Sequence, residues 1–503
     1  MGGAHAASPV EIRITSDKPV PVNAGVYGAG REKTMKRSTR REFVKSLGLG
    51  AAAMTAPRSA QEVFAAERSR KPNIVIFLSD DHGLEFSGCY GNKIVQTPHL
   101  DALAKEGMRF TRAFAASPTC TPSRSVLYTG LYPARNGAMG NHTDCKPTIQ
   151  SLPTYLKSLG YRVALANKAD VRPKEVFDFE LIKATLPSDP KQPRRYRAEG
   201  LDTKVVDQFL ATHAKDSPDQ PLCLILGDSC PHVIWEYNKT YDPAKLPLSP
   251  HMVDTAKTRA GLANYYQDIT TMDRHLGDVL ASLKKHGYED NTLFLYTSDQ
   301  GPEWPHCKWT LYDTGIRNPF IARWPGRIAA GSVCDAMVSF IDITPTFIDI
   351  AGGRPPEDLD GRSFRDVLFG KATTFRDRIY ATHTGDGKMN MFPQRCVRDK
   401  RYKYVLNLHP ERTWTTHFTL VPEIPNSHKD IWDTWVEKAK TSPEAAKLLN
   451  IIEHHPAEEL YDTQADPYEL NNLADDPERR PILEKMRKDL KQWMASQGDT
   501  GEE

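Results

Sequence analysis

Four short, β-prone and largely apolar runs punctuate the chain, and each leads into polar residues at its C-terminal end. Ile74-Val75-Ile76-Phe77-Leu78 precedes Asp80-Asp81, and Arg162-Val163-Ala164-Leu165 leads to Lys168 and Asp170. Leu222-Cys223-Leu224-Ile225-Leu226 leads to Asp228 and His232, and Leu293-Phe294-Leu295-Tyr296 to Asp299-Gln300. Unbroken apolar runs suit strands covered on both faces, as in a parallel sheet. Helical patterns lie between them. One begins at Thr97-Pro98, an N-cap residue followed by proline at the first helical position, and keeps helical spacing through Leu100, Leu103, Ala104 and Met108. Strands alternating with helices predict a doubly wound α/β sheet, in which ligands bind beyond the carboxyl ends of the strands. The four polar strand ends are therefore expected to form one site.

The texture changes after about residue 378. Arg401-Tyr402-Lys403-Tyr404-Val405 reads as a strand, and Pro481–Ala495 as a helix with Ile482, Leu483, Met486, Leu490 and Trp493 on one face. This predicts a smaller α+β subdomain over 379–503, after a catalytic domain over 71–378 and a leader over 1–70. A chain of 503 residues is long enough for that division.

The net charge of +2 points away from nucleic acid. Residues 1–70 hold 12 Lys+Arg against 6 Asp+Glu, which leaves the remainder at −4. An anionic ligand must then be held by local cations. The eight cysteines form no C-x-x-C pair, which argues against a zinc ribbon or a thioredoxin-like site.

In the leader, Arg40-Arg41 precede an uncharged run, Ser46–Pro57, that is too short to span a bilayer. Small residues near Ala60 and Ala65-Ala66 are cleavage candidates. The pattern resembles a Tat signal, which implies the Tat export machinery, the bacterial periplasm and no membrane span in the mature protein. The alternative is a basic N-terminus without a targeting role.

The chemistry centres on Cys120-Thr121-Pro122-Ser123-Arg124, followed by Ser125-Val126-Leu127-Tyr128-Thr129-Gly130. Pro122 suits the first turn of a helix and Gly130 its end. Cys120 would then stand at a helix N-terminus, where free N–H groups favour negative charge, with the Arg124 guanidinium one turn on. From these residues alone a buried structural cysteine is equally compatible.

Cys-x-Pro-Ser-Arg followed by Thr-Gly resembles the signature of the type I sulfatases of the alkaline phosphatase superfamily, and the resemblance covers nearly all of residues 72–475. It implies an alkaline phosphatase-like fold, a large mixed and mainly parallel sheet flanked by helices, with a smaller C-terminal subdomain. It also implies that Cys120 is oxidised to formylglycine by a maturation enzyme. Asp80, Asp81, Asp299 and Gln300 match the family's Ca²⁺ ligands, with Gln300 where asparagine is commonest; hard oxygen donors suit that ion. Read without the resemblance, these groups could be ordinary turn chemistry. Lys168, Lys308 and Arg124 match the cations that hold the sulfate, and His232 the group that protonates the leaving atom. The formylglycine hydrate would attack sulfur and pass through a covalent sulfo-enzyme.

Two positions depart from the family. Tyr128 replaces an aliphatic residue. Asp170 stands where a histidine helps deprotonate the sulfated diol, and an ordinary carboxylate is a far weaker base. Asp170 with a raised pKa, a substitute such as His142, or slow turnover are the readings open here.

Asn141-His142, the stretch Lys168 to Phe179 and His383-Thr384-Gly385-Asp386-Gly387 resemble the N-sulfoglucosamine sulfohydrolase branch. That makes His142 and His383 candidate sugar contacts and a sulfated carbohydrate the expected substrate. A phosphate mono- or diester hydrolase of the same superfamily, or a low-activity binder of sulfated glycans, are the alternatives.

Overall fold

A computed structural model describes residues 70–184, 200–387, 389–420 and 429–501. The leader expected over 1–70, with its twin arginines and cleavage candidates, lies outside the described residues apart from Arg70.

The strands are β1 (Asn73–Ser79), β2 (Met108–Phe110), β3 (Ala113–Phe114), β4 (Arg162–Asn167), β5 (Glu180–Ile182), β6 (Leu222–Gly227), β7 (Thr292–Ser298), β8 (Phe320–Arg323), β9 (Ser332–Cys334), β10 (Val338–Ser339), β11 (Ile379–His383), β12 (Gln394–Arg398), β13 (Tyr402–Asn407) and β14 (Glu458–Asp462). The longer helices are α1 (Pro98–Glu106), α2 (Cys120–Thr129), α3 (Leu152–Ser158), α4 (Thr203–Asp216), α5 (Ala256–Lys285), α6 (Ile343–Ile350), α7 (Lys429–Ala439), α8 (Pro443–Glu453) and α9 (Arg480–Gln497). Among the described residues no helix is long and apolar enough to cross a membrane.

The main sheet has eight strands in the order β5-β4-β6-β1-β7-β8-β2-β9. β5, β4, β6, β1 and β7 run parallel, while β8 lies antiparallel to both β7 and β2. The four apolar runs of the sequence are thus adjacent, and their polar ends emerge along one edge. β1 shows why its run is unbroken. Ile74, Ile76 and Leu78 enter one core with Val126, Leu127, Leu156 and Phe347, whereas Val75 and Phe77 enter the other with Leu103, Leu210, Ile269 and Leu276. Alternation sends successive side chains to opposite faces, and both faces are dry.

The second sheet, β11-β12-β13-β14, is antiparallel throughout. The predicted C-terminal helix is α9, which buries Leu483, Met486, Leu490 and Trp493. Trp493 stacks on Tyr380, ring centroids 4.7 Å apart. α7 returns to the long helix of the main sheet, where Trp435 Nε1 donates to Thr258 Oγ1 at 2.7 Å.

Two local expectations are corrected. Met108 is not on α1 but opens β2. The helix stops at Glu106 because the backbone at Gly107 runs so close to β8 that a Cβ would meet the Ala322 carbonyl oxygen at 2.5 Å. Thr97 precedes α1 without capping it through its side chain. Its hydroxyl instead accepts from the Gly88 amide and donates to Asp101.

Candidate active site

The ends of β1, β4, β6 and β7 and the N-terminus of α2 converge. Asp80 and Asp81 follow β1, Asp299 and Gln300 follow β7, and all four are buried. The Asp81 amide and the Gln300 amide both donate to Asp299 Oδ1, at 3.2 and 3.0 Å. This ties the two strand ends together.

α2 carries the expected residues in the expected places. Cys120 opens it, and Gly130 closes it with φ 71°, a left-handed conformation that suits glycine. Cys120 Sγ lies 3.5 Å from Asp80 Oδ1, 3.4 Å from Lys168 Nζ and 3.2 Å from Gln300 Nε2. Burial pushes the thiol well above its ordinary pKa even though Lys168 and Lys308 pull it down. As a plain cysteine it stays protonated and is a poor nucleophile. One turn on, Arg124 Nε donates to Asp299 Oδ2 at 2.8 Å and Nη1 to the Lys168 carbonyl at 2.9 Å, while Nη2 is buried without a hydrogen bond, 3.8 Å from Asp80 Oδ1.

The cations alternate with the carboxylates. Lys168 Nζ contacts Asp80 Oδ2 at 2.6 Å, and Lys308 Nζ contacts Asp81 Oδ2 at 2.8 Å and Glu303 Oε2 at 3.3 Å. Gly227 makes the first of these possible: a Cβ there would sit 2.1 Å from the Lys168 carbonyl oxygen. His232 follows β6. Its Nδ1 donates to the Val233 carbonyl at 2.5 Å, and Nε2 faces Asp81 Oδ2 at 3.8 Å and Glu303 Oε2 at 4.0 Å.

Asp80, Asp81 and Asp299 each place one oxygen within 4.8 Å of the others. Against the upward push of burial, Lys168, His232 and Arg124 hold Asp80 below the usual carboxylate range. Burial wins at Asp81, which is raised, and at Asp299, which is pushed up to about 7 despite Arg124. Each of the three has one cation of the chain within 2.8 Å, yet burial still leaves Asp81 and Asp299 raised, which a further cation among them would relieve. Gln300 supports the same reading, because its Oε1 is buried without a hydrogen-bond partner. Amide O and N are interchangeable by a rotation that a cation would favour. The donor set fits a hard divalent ion such as Ca²⁺.

Asp170 does not meet the expectation of a base with a raised pKa. Its Oδ2 stands 3.8 Å from Lys168 Nζ. Burial would raise it, but Lys168 and Arg124 bring it below the ordinary value.

These groups open into a cavity of about 330 Å³ whose lining includes Cys120, Lys168, Asp170, His232 and Lys308, and also His142, Asp386 and Trp309. His142 is at the mouth, with its Nδ1 on Asp386 Oδ1 at 3.1 Å. His383 is not in the lining. It ends β11 as a buried residue, its Nε2 donates to the Asn390 carbonyl at 3.1 Å, and burial pushes it down to about 3. It lies edge-on to Trp309, centroids 6.2 Å apart, so as a direct sugar contact it is corrected to a support behind the wall. Sequence reading missed Glu303, Asp386 and Trp309. Only Asp386 had a signal, as it lies in the His383–Gly387 stretch already singled out.

The family model described as Sulfatase matches residues 72–353, and that of the N-sulphoglucosamine sulphohydrolase C-terminal region matches residues 303–434. An ulvan-active sulfatase of Formosa agariphila is 37% identical over 439 residues, which span 86% of this chain and 81% of that protein. Human N-sulphoglucosamine sulphohydrolase is 28% identical over 468 residues, 85% of this chain and 90% of that one. Among solved structures, one in complex with its substrate D-glucosamine-2-N,6-O-disulfate aligns with TM-score 0.63 at 20% identity, covering 86% of this chain and 99% of that chain. The phosphonate monoester hydrolase of Agrobacterium radiobacter aligns with TM-score 0.64 at 20% identity, covering 85% and 96%. At these identities the structural likenesses speak for the fold.

Proposed function

This chain belongs to the sulfatase family, and we propose that it is an exported hydrolase that removes sulfate from a sulfated carbohydrate, as an ester or a sulfamate. The observation that carries this reading is the setting of Cys120, at the N-terminus of α2 and within 3.5 Å of Asp80, Lys168 and Gln300. A protonated thiol there has little use as it stands, whereas cations and helix N–H groups around it suit an anionic ester.

Formylglycine derived from Cys120 would supply the nucleophile, and Ca²⁺ held by Asp80, Asp81, Asp299 and Gln300 would polarise the sulfate. The chain's own residues do the rest. Arg124, Lys168 and Lys308 neutralise the nonbridging oxygens in a buried, low-dielectric setting where such contacts are strong. His232, with Nδ1–H committed to a backbone carbonyl, presents Nε2 as the atom that carries a proton to the departing oxygen or nitrogen. Asp170 stays ionised and orients Lys168. His142 reaches the sugar from the mouth. Relatives active on ulvan and on N-sulphoglucosamine favour a sulfated glycan as substrate. The twin-arginine leader supports Tat export to the periplasm, after a maturation enzyme has converted Cys120.

Sulfate release, followed by ion chromatography on N-sulfoglucosamine and a panel of O-sulfated oligosaccharides, tests this. Multiple turnovers by the wild type, lost in Cys120→Ser, are expected; full activity in Cys120→Ser would overturn the scheme. A second reading, hydrolysis of phosphate or phosphonate esters, is favoured by the shared fold of the phosphonate monoester hydrolases. Faster turnover of a phosphodiester than of any sulfate in the panel would select it.

A further inference from the structure

Beside the groups assigned above, the pocket carries a second polar unit. Asp386 is buried, and both its oxygens are engaged: Oδ1 accepts from His142 Nδ1 at 3.1 Å and Oδ2 from Asn141 Nδ2 at 3.3 Å. Asn141 Oδ1 in turn accepts the Thr121 amide at 3.1 Å, and the His142 amide donates to Thr121 Oγ1, also at 3.1 Å. The unit is thereby fastened to the turn of α2 that bears Cys120.

A carboxylate only accepts, so Asp386 fixes the proton of neutral His142 on Nδ1 and leaves Nε2 as a free lone pair. The ring lines the same cavity as Cys120, and its side chain is 54% exposed. His142 has φ 58°, a left-handed backbone that strains a residue with a side chain, and such strain gathers at functional sites.

We infer that Asp386 and Asn141 are positioning residues that make His142 Nε2 the proton acceptor of this pocket. The role rests on the hydrolytic reading above. A hydroxyl bound in the pocket loses its proton to Nε2: the O–H bond breaks, the N–H bond forms and the oxygen keeps the electron pair. Asp386 stabilises the resulting imidazolium, which hands the Nε2 proton to water at the mouth. Among the described residues, the charged groups that His142 interacts with are Asp386, on the loop after β11, and Asp170, after β4. Lys168 and Arg124 stand beyond Asp170 and act on it more strongly than His142 does. Asp170, held ionised beside an ammonium, is the weaker base.

The test uses full-length His142→Asn, because asparagine tolerates the left-handed backbone, and Asp386→Asn, each checked by thermal melting. Nitrogen NMR of the histidine ring is expected to show the Nδ1–H tautomer in the wild type and a shift toward Nε2–H in Asp386→Asn. On a sulfated oligosaccharide, His142→Asn is expected to lower kcat by about 10²- to 10⁴-fold with KM little changed, the range for a lost general base. The rising limb of its pH profile should vanish, and added imidazole should restore part of the rate. Turnover by a wild type that carries the Nε2–H tautomer would overturn the inference alone. So would wild-type kcat and pH profile in His142→Asn, or a raised KM with unchanged kcat, which would make His142 only a sugar contact. A wild type with the Nδ1–H tautomer and no turnover of any sulfate would overturn the hydrolytic reading and the acceptor role together.

Discussion

Asp170 lies 3.8 Å from Lys168, an ammonium already engaged by Asp80 at 2.6 Å. One cation serves two carboxylates, and Asp170 is the outer and weaker partner. It adds a negative charge to the wall of a pocket that, on the proposed reading, takes an anion. Asp170→Asn should therefore lower KM for a sulfated substrate by about fivefold, the effect of roughly 1 kcal/mol of repulsion between charges a few ångströms apart in a solvated site. Steady-state kinetics at low salt check this, and an unchanged KM would mean that Lys168 already screens the charge.

The three convergent carboxylates predict a metal-dependent stability. Stripping the protein with a chelator should lower its melting temperature, and calcium should restore it. At a hundredfold excess over Kd the recovered stabilisation is about 2.7 kcal/mol. Asp299→Asn should melt at one temperature with or without calcium. Calorimetry reads this without any substrate.

Gly227 predicts a steric coupling. Its missing side chain is where the Lys168 carbonyl oxygen passes, 2.1 Å from an ideal Cβ. That carbonyl is backbone and also accepts from Arg124. Gly227→Ala should cost about 1–3 kcal/mol, the range for overpacking. It should also lower activity more than the loss of folded protein explains, because two of the cations proposed to hold the sulfate are displaced together. Denaturation curves alongside kcat separate the two effects.

Acid sensitivity follows from the buried histidines. His82 follows the proposed metal ligands Asp80 and Asp81, with Nε2 donating to the Phe86 carbonyl at 3.0 Å and Nδ1 accepting from the Tyr296 hydroxyl at 2.6 Å. Burial pushes it down to about 4. The unfolded chain takes up this proton near 6.5 and the folded chain only near 4, so stability is full above 6.5 and declines as pH falls toward 4. The decline is about 3 kcal/mol for this one ring. His251, His306 and His383 are lowered by burial in the same sense. Melting temperatures between pH 7 and 4.5 should fall more steeply for the wild type than for His82→Gln.

Much of this site could be read along the chain because its parts lie just after buried strands. An unbroken run such as Ile74–Leu78 announces a strand with two dry faces, and the polar residues after it have to lie at the sheet's edge. Arg124 was equally legible, since one helical turn fixes its relation to Cys120. Glu303 and Trp309 were not: both sit in the long loop after β7, where neither period constrains them, and only the folded chain sets Glu303 on Lys308 and turns Trp309 into the cavity wall. The stretch after β11 misled in a specific way. His383 looked like the functional group, but it is the last residue of a strand whose inner face is buried, and the carboxylate three residues later turns into the pocket. Asp170 was located correctly from its strand end, while its ionisation depended on Lys168 and Arg124 arriving from separate elements.

All ten residues of α2 are buried, Cys120 among them. That has a consequence for the order of events in the life of the chain. On the proposed reading a maturation enzyme would have to grip the segment around its target cysteine, and beyond the Cys120 end that faces the cavity this helix is packed into the core of the folded chain. On the proposed reading the thiol is therefore converted while the chain is still open. If the chain leaves by a twin-arginine route, which exports proteins already folded, conversion would have to be finished before export. On that reading a copy that folds unconverted would carry a protonated thiol at the floor of its pocket and lack the nucleophile.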